Sequence, residues 1–398
     1  MPALMSDMPL IRLLPGRDRR AKAGHPWVFS NEVAMTPAAR AIPPGTPVRV
    51  EGDDGVRHGI HHFNPHSLIA GRRLTRDAAI PIDDTFWQGR IAEALALRSR
   101  LFPTPHYRLA HAEADGLPGL ILDRYGDLVA LQANTAGMEM ATPAILRALD
   151  ALIAPRAVVA RNEAGVRALE GLPEATTLLR GTEATGTVEE GGVSFSVDPL
   201  GGQKTGWFFD QRENRARIAN LARGETVLDA FCHTGGFGLQ AAASGAARVT
   251  LLDRSEHALA TAMETARRNG LADRVEAVRG EAMETLERLG REGARYGVVV
   301  ADPPAFAKGR KDIPAAIRAY SRLARLSAEL VAPGGILFIA SCSHHVAAGE
   351  FADTVIAGLQ RVRRDARILA MTGAGPDHPI HPMLPESAYL KALTLQLS

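Results

Sequence analysis

The chain has 398 residues, of which 46% are hydrophobic and 23% are charged. This composition is typical of a soluble globular protein and excludes a disordered or fibrous one. Its 46 Lys and Arg residues against 44 Asp and Glu residues give a net charge of +2, so the whole chain is not polybasic. At about 100–200 residues per domain, the length predicts two to four domains.

The two cysteines, Cys232 and Cys342, are too few for a disulfide scaffold or a four-cysteine zinc site, and we predict no metal. They favour a reducing compartment, in which thiols persist. No apolar run reaches the roughly 18 residues that span a bilayer, and the first residues lack the pattern of a secretory signal. We therefore expect a cytoplasmic protein without a membrane partner.

The N-terminal segment carries the positive charge of the chain. Residues 1–76 contain 11 Lys and Arg against 6 Asp and Glu, whereas the remainder contains 35 against 38. Only this segment is suited to a polyanion. Gly and Pro separate five short predicted strands in it, a spacing that indicates a small β-barrel. These strands are Ile11–Leu14, Trp27–Ser30, Pro47–Glu51, Gly59–Phe63 and Leu68–Arg72.

Residues 77–185 predict a compact α+β domain. An imperfect helical stripe indicates a helix over Asp84–Phe102, and a second helix is predicted over Pro143–Leu152. The predicted strands are Leu120–Asp123, Leu128–Asn134 and Ala157–Arg161. Arg124–Asp127 has the composition of a hairpin turn between the first two strands.

From about Thr226, buried strands alternate with helices, a pattern that predicts an α/β domain with a parallel sheet covered on both faces. The predicted strands are Thr226–Phe231, Arg248–Leu252, Val275–Val278, Tyr296–Ala301, Ile336–Ser341, Ala366–Met371 and Tyr389–Leu397. The predicted helices are Phe237–Ser244, Ser255–Asn269, Ala282–Leu289, Pro314–Val331 and Ala348–Gln360.

A glycine-containing loop follows the first of these strands. The segment from Val227 to Gly238 runs from a strand into a loop and a helix, where glycines permit close approach of a ligand and the helix N-terminus favours negative charge. Asp253 ends the next strand and could accept both hydroxyls of a ribose. The alternative is a simple tight turn. The Gly-x-Gly-x-x-Gly spacing of dinucleotide enzymes is missing, which disfavours an oxidoreductase.

Two further loops end neighbouring strands of the same predicted sheet edge. Asp302 opens an Asp-Pro-Pro segment, and Cys342 lies in Ser341-Cys342-Ser343. A thiolate that adds to carbon 6 of a pyrimidine makes carbon 5 nucleophilic enough to accept a methyl group. Asp302 could hydrogen-bond ring N3 and the exocyclic group of such an adduct.

The alternative for Cys342 is a small buried side chain at a strand end. Cys232 is interpreted as a packing residue. His344 and His345 are either a base or ordinary loop residues.

The segment around Asp229 and Gly235, with Asp253 after it, resembles the S-adenosylmethionine signature of class I methyltransferases. In that family Asp229 and the glycines would lie near the methionine end of the cofactor, and Asp253 would hold the ribose. Glu281 matches the position that contacts adenine, where the family often has Asp. The resemblance implies a cofactor set that also includes Phe231 and Asp302.

The whole chain resembles a narrower family, the RlmI-like 23S rRNA cytosine-5 methyltransferases with an N-terminal PUA domain. The matching stretches are Arg17–Arg20, Gly24–Phe29, Glu113–Leu120, Asp123–Asp127, Gln203–Arg212, Asp302–Phe306 and Ser341–Ser343. The resemblance implies a PUA-like β-barrel at 1–76, a central α/β domain at 77–185 and a Rossmann-like methyltransferase domain at 186–398. It further implies a flipped or single-stranded cytosine of 23S rRNA as substrate, and it suggests a homodimer.

In this family Cys342 would be the nucleophile, and the cofactor would be covered by Lys204, Thr205, Gly206, Asp210, Gln211 and Arg212. The alternative for this last stretch is a basic surface hairpin. Other RNA cytosine-5 methyltransferases have a second cysteine where this chain has Pro303, so the base that releases the product stays open between Asp302, His344 and Glu386. Two rival functions remain: a guanine N7 or N2 methyltransferase, and an RNA-binding assembly factor without catalysis.

Overall fold

The computed structural model describes residues 8–201, 206–307 and 309–398. The chain divides into two compact units. The first unit contains the residues up to 187 together with 197–207 and 376–385, and the second contains 188–196, 208–375 and 386–398. Residues 1–76 and 77–185 share the first unit, and the boundaries of the three expected domains stay a prediction.

A five-stranded sheet with the order β1-β3-β4-β5-β2 forms the N-terminal part. Its apolar core contains Ile11, Val28, Val48 and Phe63. The elements are β1 (Leu10–Arg12), α1 (Arg19–Lys22), β2 (Trp27–Val28), α2 (Pro37–Arg40), β3 (Thr46–Glu51), β4 (Arg57–Phe63) and β5 (Gly71–Thr75).

The strand predicted over Leu68–Arg72 lies further along the chain, at Gly71–Thr75. Asn64 N donates to Ala70 O at 2.8 Å, so residues 64–70 close a loop and the strand begins at Gly71. Leu68 lies in this loop with 70% of its surface exposed. An apolar side chain in a loop imitates a strand residue when only the sequence is read.

The second sheet has the order β10-β9-β8-β7-β6 and packs with two long helices in the first unit. The elements are α3 (Asp84–Leu101), β6 (His106–His111), β7 (Leu120–Tyr125), β8 (Leu128–Ala133), α4 (Ala136–Ile153), β9 (Ala157–Asn162) and β10 (Ala175–Arg180). The sequence prediction missed β6 and β10. It also started α4 too late: the Thr135 side chain caps Met138 N, and Pro143 lies inside the helix.

The third sheet, in the second unit, has the order β15-β14-β13-β16-β17-β19-β18. Every neighbouring pair from β15 to β17 is parallel, and β19 is antiparallel to both of its neighbours. Its strands are β13 (Thr226–Ala230), β14 (Arg248–Asp253), β15 (Val275–Arg279), β16 (Tyr296–Ala301), β17 (Val331–Ser341), β18 (Ala366–Thr372) and β19 (Lys391–Leu397); β11 (Gly186–Glu190) and β12 (Val193–Val197) form a separate pair.

The helices of this α/β part are α5 (Arg212–Leu221), α6 (Gly236–Ala243), α7 (Glu256–Arg268), α8 (Ala282–Arg291), α9 (Ile313–Leu330) and α10 (Ala348–Gln360). The strand order reverses at β13, which lies between β14 and β16. Ligands of open α/β sheets bind at such a point, outside the carboxyl ends of the strands. Among the described residues, no helix has the length and hydropathy needed to cross a membrane.

A buried ion pair holds a late segment of the chain in the first unit. Arg98 is fully buried, and its guanidinium donates to both carboxylate oxygens of Asp115 at 2.6 and 2.8 Å and to Asp377 O at 3.0 Å. Arg108 N donates to Asp377 Oδ2 at 3.0 Å. These contacts explain why residues 376–385 belong to the first unit although the surrounding residues belong to the second.

We expect Arg98→Met to lower the free energy of unfolding by about 3–5 kcal/mol, because it leaves the buried Asp115 carboxylate without its partner. Arg147→Met is the matched control, since the Arg147 and Asp84 side chains are 58% and 61% exposed; its loss of stability should be clearly smaller, because water screens an exposed ion pair. Urea unfolding measures both, and equal losses would contradict this assignment.

Candidate functional site

Asp229 lies on β13, the strand at which the strand order of the third sheet reverses. It is almost completely buried, and its Oδ2 accepts a hydrogen bond from Gly238 N at 2.8 Å, in the first turn of α6. Burial raises the pKa of the Asp229 carboxyl group to about 7, and the charges of Asp302 and Asp253 act in the same direction. Three acidic groups from three neighbouring strand ends therefore influence one another.

The loop after β13 has an unusual backbone. Phe231 and His233 have positive φ angles of 63° and 50°, which non-glycine residues adopt rarely, and Gly235 has a φ of 82°. Such conformations persist where the surrounding structure enforces them, often at ligand sites. Gly238 has a packing reason, since a Cβ there would lie 2.4 Å from the Leu251 side chain. Its absence lets α6 lie close against β14.

Asp253 ties the loops after β13 and β14 together. Its Oδ2 accepts from His233 N at 2.9 Å, and its Oδ1 accepts from Ser255 N at 2.8 Å. Each carboxylate oxygen has a further lone pair, so the half-buried group can accept additional hydroxyl donors. Glu281 lies at the start of α8 with an exposed side chain, 3.9 Å from Arg254.

The stretch before α5 was expected to cover the cofactor. Lys204 and Thr205 lie outside the described residues, and Gly206 has a φ of 114°. Phe209–Gln211 is a 3₁₀ turn that leads directly into α5, a helix that the sequence prediction missed. The described part of the stretch is therefore a 3₁₀ turn and the start of a helix, which excludes the alternative of a surface hairpin there.

The candidate site residues in this turn are buried or half-buried, and each contacts another side chain. Tyr389 Oη donates to Asp210 Oδ2 at 2.5 Å. Gln211 is buried and its Oε1 accepts from Asn214 Nδ2 at 2.6 Å. Arg212 lies 3.9 Å from Glu190 and stacks its guanidinium over the Phe209 ring at 5.3 Å. The turn is thus held in place by residues from distant parts of the second unit.

The Asp302 and Cys342 loops are in direct contact. Ala307 N, in the loop that Asp302 opens, donates to Ser343 Oγ at 3.2 Å. Tyr320 on α9 holds the second loop through its hydroxyl group. Ser341 Oγ donates to this hydroxyl at 2.8 Å, and the hydroxyl lies 2.9 Å from Ser343 Oγ. Ser341 and Ser343 are fully buried, whereas Cys342 between them is partly exposed.

The second cysteine has a different environment. Cys232 is buried, and burial together with the charges of Asp229 and Asp253 raises the pKa of its thiol. A thiolate is therefore disfavoured at Cys232. This agrees with the packing role that the sequence predicts, and it leaves Cys342 as the accessible thiol of the pair.

The structure also brings residues to the site that sequence reasoning missed. Tyr320 comes from α9, and Lys391 comes from β19, where it is buried and donates through Nζ to Ser343 O and Tyr389 O. His344 stacks on Tyr389 with ring centroids 5.0 Å apart. The one available sequence signal was a lysine within the apolar run Leu390–Leu393.

A parallel sheet reversed at β13, with an antiparallel strand inserted between its last two parallel strands, is the fold of class I S-adenosylmethionine-dependent methyltransferases. Comparison with protein families agrees: residues 139–396 match the S-adenosylmethionine-dependent methyltransferase model, and residues 11–76 match a PUA-like domain.

Curated relatives narrow the family further. Proteins named Ribosomal RNA large subunit methyltransferase I, from Aeromonas hydrophila and Shewanella frigidimarina, are each 35% identical over 393 residues. The matches cover 97% of this chain and 98% and 99% of those proteins. The chain therefore belongs to the ribosomal RNA large subunit methyltransferase I family of S-adenosylmethionine-dependent methyltransferases.

Solved structures show the same fold over nearly the full length. The crystal structure of SMU.776 complexed with SAH gives a TM-score of 0.83 at 20% identity, over 98% of this chain and 100% of that one. A structure from Streptococcus mutans gives 0.81 with the same identity and coverage. The residues at the sheet edge are compatible with this cofactor, because the buried Asp229 and the half-buried Asp253 and Asp302 would favour a positively charged sulfonium group.

We expect Asp229→Asn to stabilise the protein at neutral pH. Asparagine keeps an acceptor for Gly238 N but does not ionise. In the wild type the raised pKa favours the protonated carboxyl group in the folded state, so that contribution is present below about pH 4 and lost as pH rises through about 7.

The free energy of unfolding of the variant minus that of the wild type should therefore rise between about pH 4 and pH 8, by at most about 4 kcal/mol. Urea unfolding at several pH values measures this difference. Parallel pH profiles for the two proteins would contradict a raised pKa at Asp229.

Proposed function

We propose that the protein is an S-adenosylmethionine-dependent methyltransferase that forms 5-methylcytosine in 23S rRNA through a covalent adduct with Cys342. The observation that carries the proposal is the position of Cys342: a partly exposed thiol at the carboxyl end of β17, in a loop hydrogen-bonded to the loop of Asp302. The names of the curated relatives support ribosomal RNA of the large subunit as substrate.

Carbon 5 of cytosine is too weak a nucleophile to accept a methyl group unaided. The Cys342 thiolate forms a bond from Sγ to carbon 6, and the ring electrons then make carbon 5 nucleophilic. Bound S-adenosylmethionine supplies the electrophilic methyl group. A base removes the proton from carbon 5, the double bond between carbons 5 and 6 re-forms, and the bond to Sγ breaks to release the thiolate.

Asp302 is the second catalytic residue of the proposal. Its carboxyl group can donate to ring N3 when protonated and accept from the exocyclic amine, which stabilises the adduct. Asp302, in the loop after β16, and His344, in the same loop as Cys342, are the candidates for the releasing base, together with Glu386. The contact between Ala307 and Ser343 keeps the two loops in register for both roles.

The cofactor site combines the residues at the neighbouring strand ends. Asp253 would accept the ribose hydroxyls and Glu281 would contact the adenine. Asp229, Phe231, Gly235 and the stretch from Gly206 to Arg212 would hold the methionine end, with Lys204 and Thr205 as further members. The hydrogen bonds from His233 N and Ser255 N support this role for Asp253, since they orient its carboxylate before the cofactor arrives.

The N-terminal domain supplies contacts to the RNA backbone. Arg17, Arg19, Arg57 and Arg76 have exposed side chains in a segment of excess positive charge. Trp27 is less suited to stack on a base, because its Nε1 donates to Glu113 at 2.7 Å. The target cytosine must be flipped or single-stranded, since both faces of its ring have to be reached. We further propose that the reaction takes place in the cytoplasm and that the protein forms a homodimer.

We expect full-length protein, incubated with S-adenosylmethionine and 23S rRNA fragments containing 5-fluorocytidine, to form a covalent protein–RNA complex. Fluorine at carbon 5 blocks the final elimination, so the adduct accumulates. Cys342→Ala should form none, and Cys232→Ala is the matched thiol control that should trap normally. Denaturing gel electrophoresis measures the complex.

Normal trapping by Cys342→Ala would overturn the adduct. Full methyl transfer by Cys342→Ser would instead favour a nitrogen methyltransferase, which needs no thiol. RNA binding without any methyl transfer would favour an assembly factor.

We expect Asp253→Asn to weaken binding of S-adenosylmethionine by about 10- to 100-fold, because the amide replaces one of two charged acceptors for the ribose. Glu256→Gln is the control: it removes an exposed carboxylate three residues later that pairs with Arg279. Isothermal titration calorimetry measures both affinities. Equal affinities for Asp253→Asn and the wild type would remove Asp253 from the cofactor site.

A further inference from the structure

A lysine in β19, the last strand in chain order, lies next to the proposed nucleophile. Lys391 begins β19, and its Cα lies opposite Ser341 in the antiparallel pairing of β17 and β19. Its side chain is charged, yet it is buried like the apolar residues that follow it in the strand. Burial of an ammonium group is costly unless it is hydrogen-bonded or paired, so this position calls for a physical explanation.

The ammonium group reaches the backbone on the far side of Cys342. Lys391 Nζ donates to Ser343 O, and to Tyr389 O at 3.1 Å. Lys391 therefore contacts the residue after Cys342 through its side chain and pairs with the residue before Cys342 through its backbone. Within the described residues, these two carbonyls use two of its three N–H donors.

The charges of Lys391 and Cys342 are coupled. Burial lowers the pKa of the Lys391 ammonium group, and the negative charge of the Cys342 thiolate acts in the opposite direction. Coulomb attraction is mutual, so a cation that a thiolate stabilises also stabilises that thiolate. The apolar environment strengthens this attraction compared with water.

The other titratable groups around Cys342 come from several elements. Tyr320 on α9 is a neutral hydroxyl whose pKa is raised by burial. Tyr389 donates to the carboxylate of Asp210, and His344 stacks on Tyr389. Asp302 lies in the adjoining loop, and its negative charge would disfavour a thiolate. Lys391 supplies positive charge that offsets this effect.

We propose that Lys391 is a positioning residue that stabilises the thiolate of Cys342 and fixes the Ser341–Ser343 loop, so that the thiol is ready to attack a pyrimidine. The inference rests on the proposed function, in which Cys342 is the nucleophile.

The pH dependence of Cys342 alkylation by iodoacetamide tests this role without RNA or cofactor. The full-length chain with Cys232→Ala provides a background with one thiol. In this background Lys391→Met should move the midpoint of alkylation upwards by about one pH unit and slow the reaction at pH 7 by about tenfold, because less thiolate is present. Lys391→Arg should retain most of the wild-type rate, since it keeps the charge.

Arg367→Met is the control for removing a cation from the same sheet, because Arg367 lies on β18 and bonds the side chain of Gln396; its alkylation profile should be unchanged. Lys391→Gln keeps a donor for Ser343 O without the charge, and it replaces Lys391→Met if that variant does not fold. An unchanged midpoint in the folded, uncharged Lys391 variant overturns the inference.

The two proposals fail in different ways. If 5-fluorocytidine trapping requires Cys342 but the alkylation midpoint ignores Lys391, the role of Lys391 is wrong and the proposed function stands. If the midpoint depends on Lys391 but no RNA adduct forms, the proposed cytosine chemistry is wrong and the activation of the thiol stands.

Discussion

The parallel pairing of β14, β13, β16 and β17 is the constraint on which the site depends. Each of these strands carries one candidate site residue at or near its carboxyl end: Asp253, Asp229, Asp302 and Cys342. Since parallel strands end at the same edge, groups up to 113 positions apart in the sequence meet there. No local turn could bring these side chains together. The sheet sets their positions, and each loop changes only their orientation.

This arrangement has an electrostatic cost that suits the cofactor. The burial of Asp229, and to a smaller extent repulsion from Asp302 and Asp253, raise the pKa of Asp229, and two non-glycine residues in the neighbouring loop have positive φ angles. Both features disfavour the site in the absence of a ligand. In the proposed cofactor site, a bound sulfonium cation would reduce this repulsion, so the groups that destabilise the sheet edge would favour a positively charged methyl donor.

The far side of the site depends on the antiparallel strand. β19 enters next to β17, and its direction places the buried Lys391 opposite Ser341. Tyr320 approaches the same loop from α9 and bonds both serines. The two buried serines point towards Tyr320, which leaves Cys342 as the side chain that remains accessible. The alternation of side chains at a strand end thus separates the two anchoring serines from the proposed nucleophile.

The sequence alone located the motifs and most regular elements, because hydrophobic periodicity and strand-end composition are local signals; the helix Ala348–Gln360 and the strand Tyr296–Ala301 have the predicted bounds. It missed β6 and α5, whose apolar patterns are weak, and it placed the start of α4 at Pro143 because the cap at Thr135 is a side-chain contact. Only the tertiary structure decided that Cys342 is accessible while Cys232 is buried, and that Lys391 lies beside the proposed nucleophile. Burial and contacts between strands far apart in the chain decide such facts, and neither is recorded in the order of the residues.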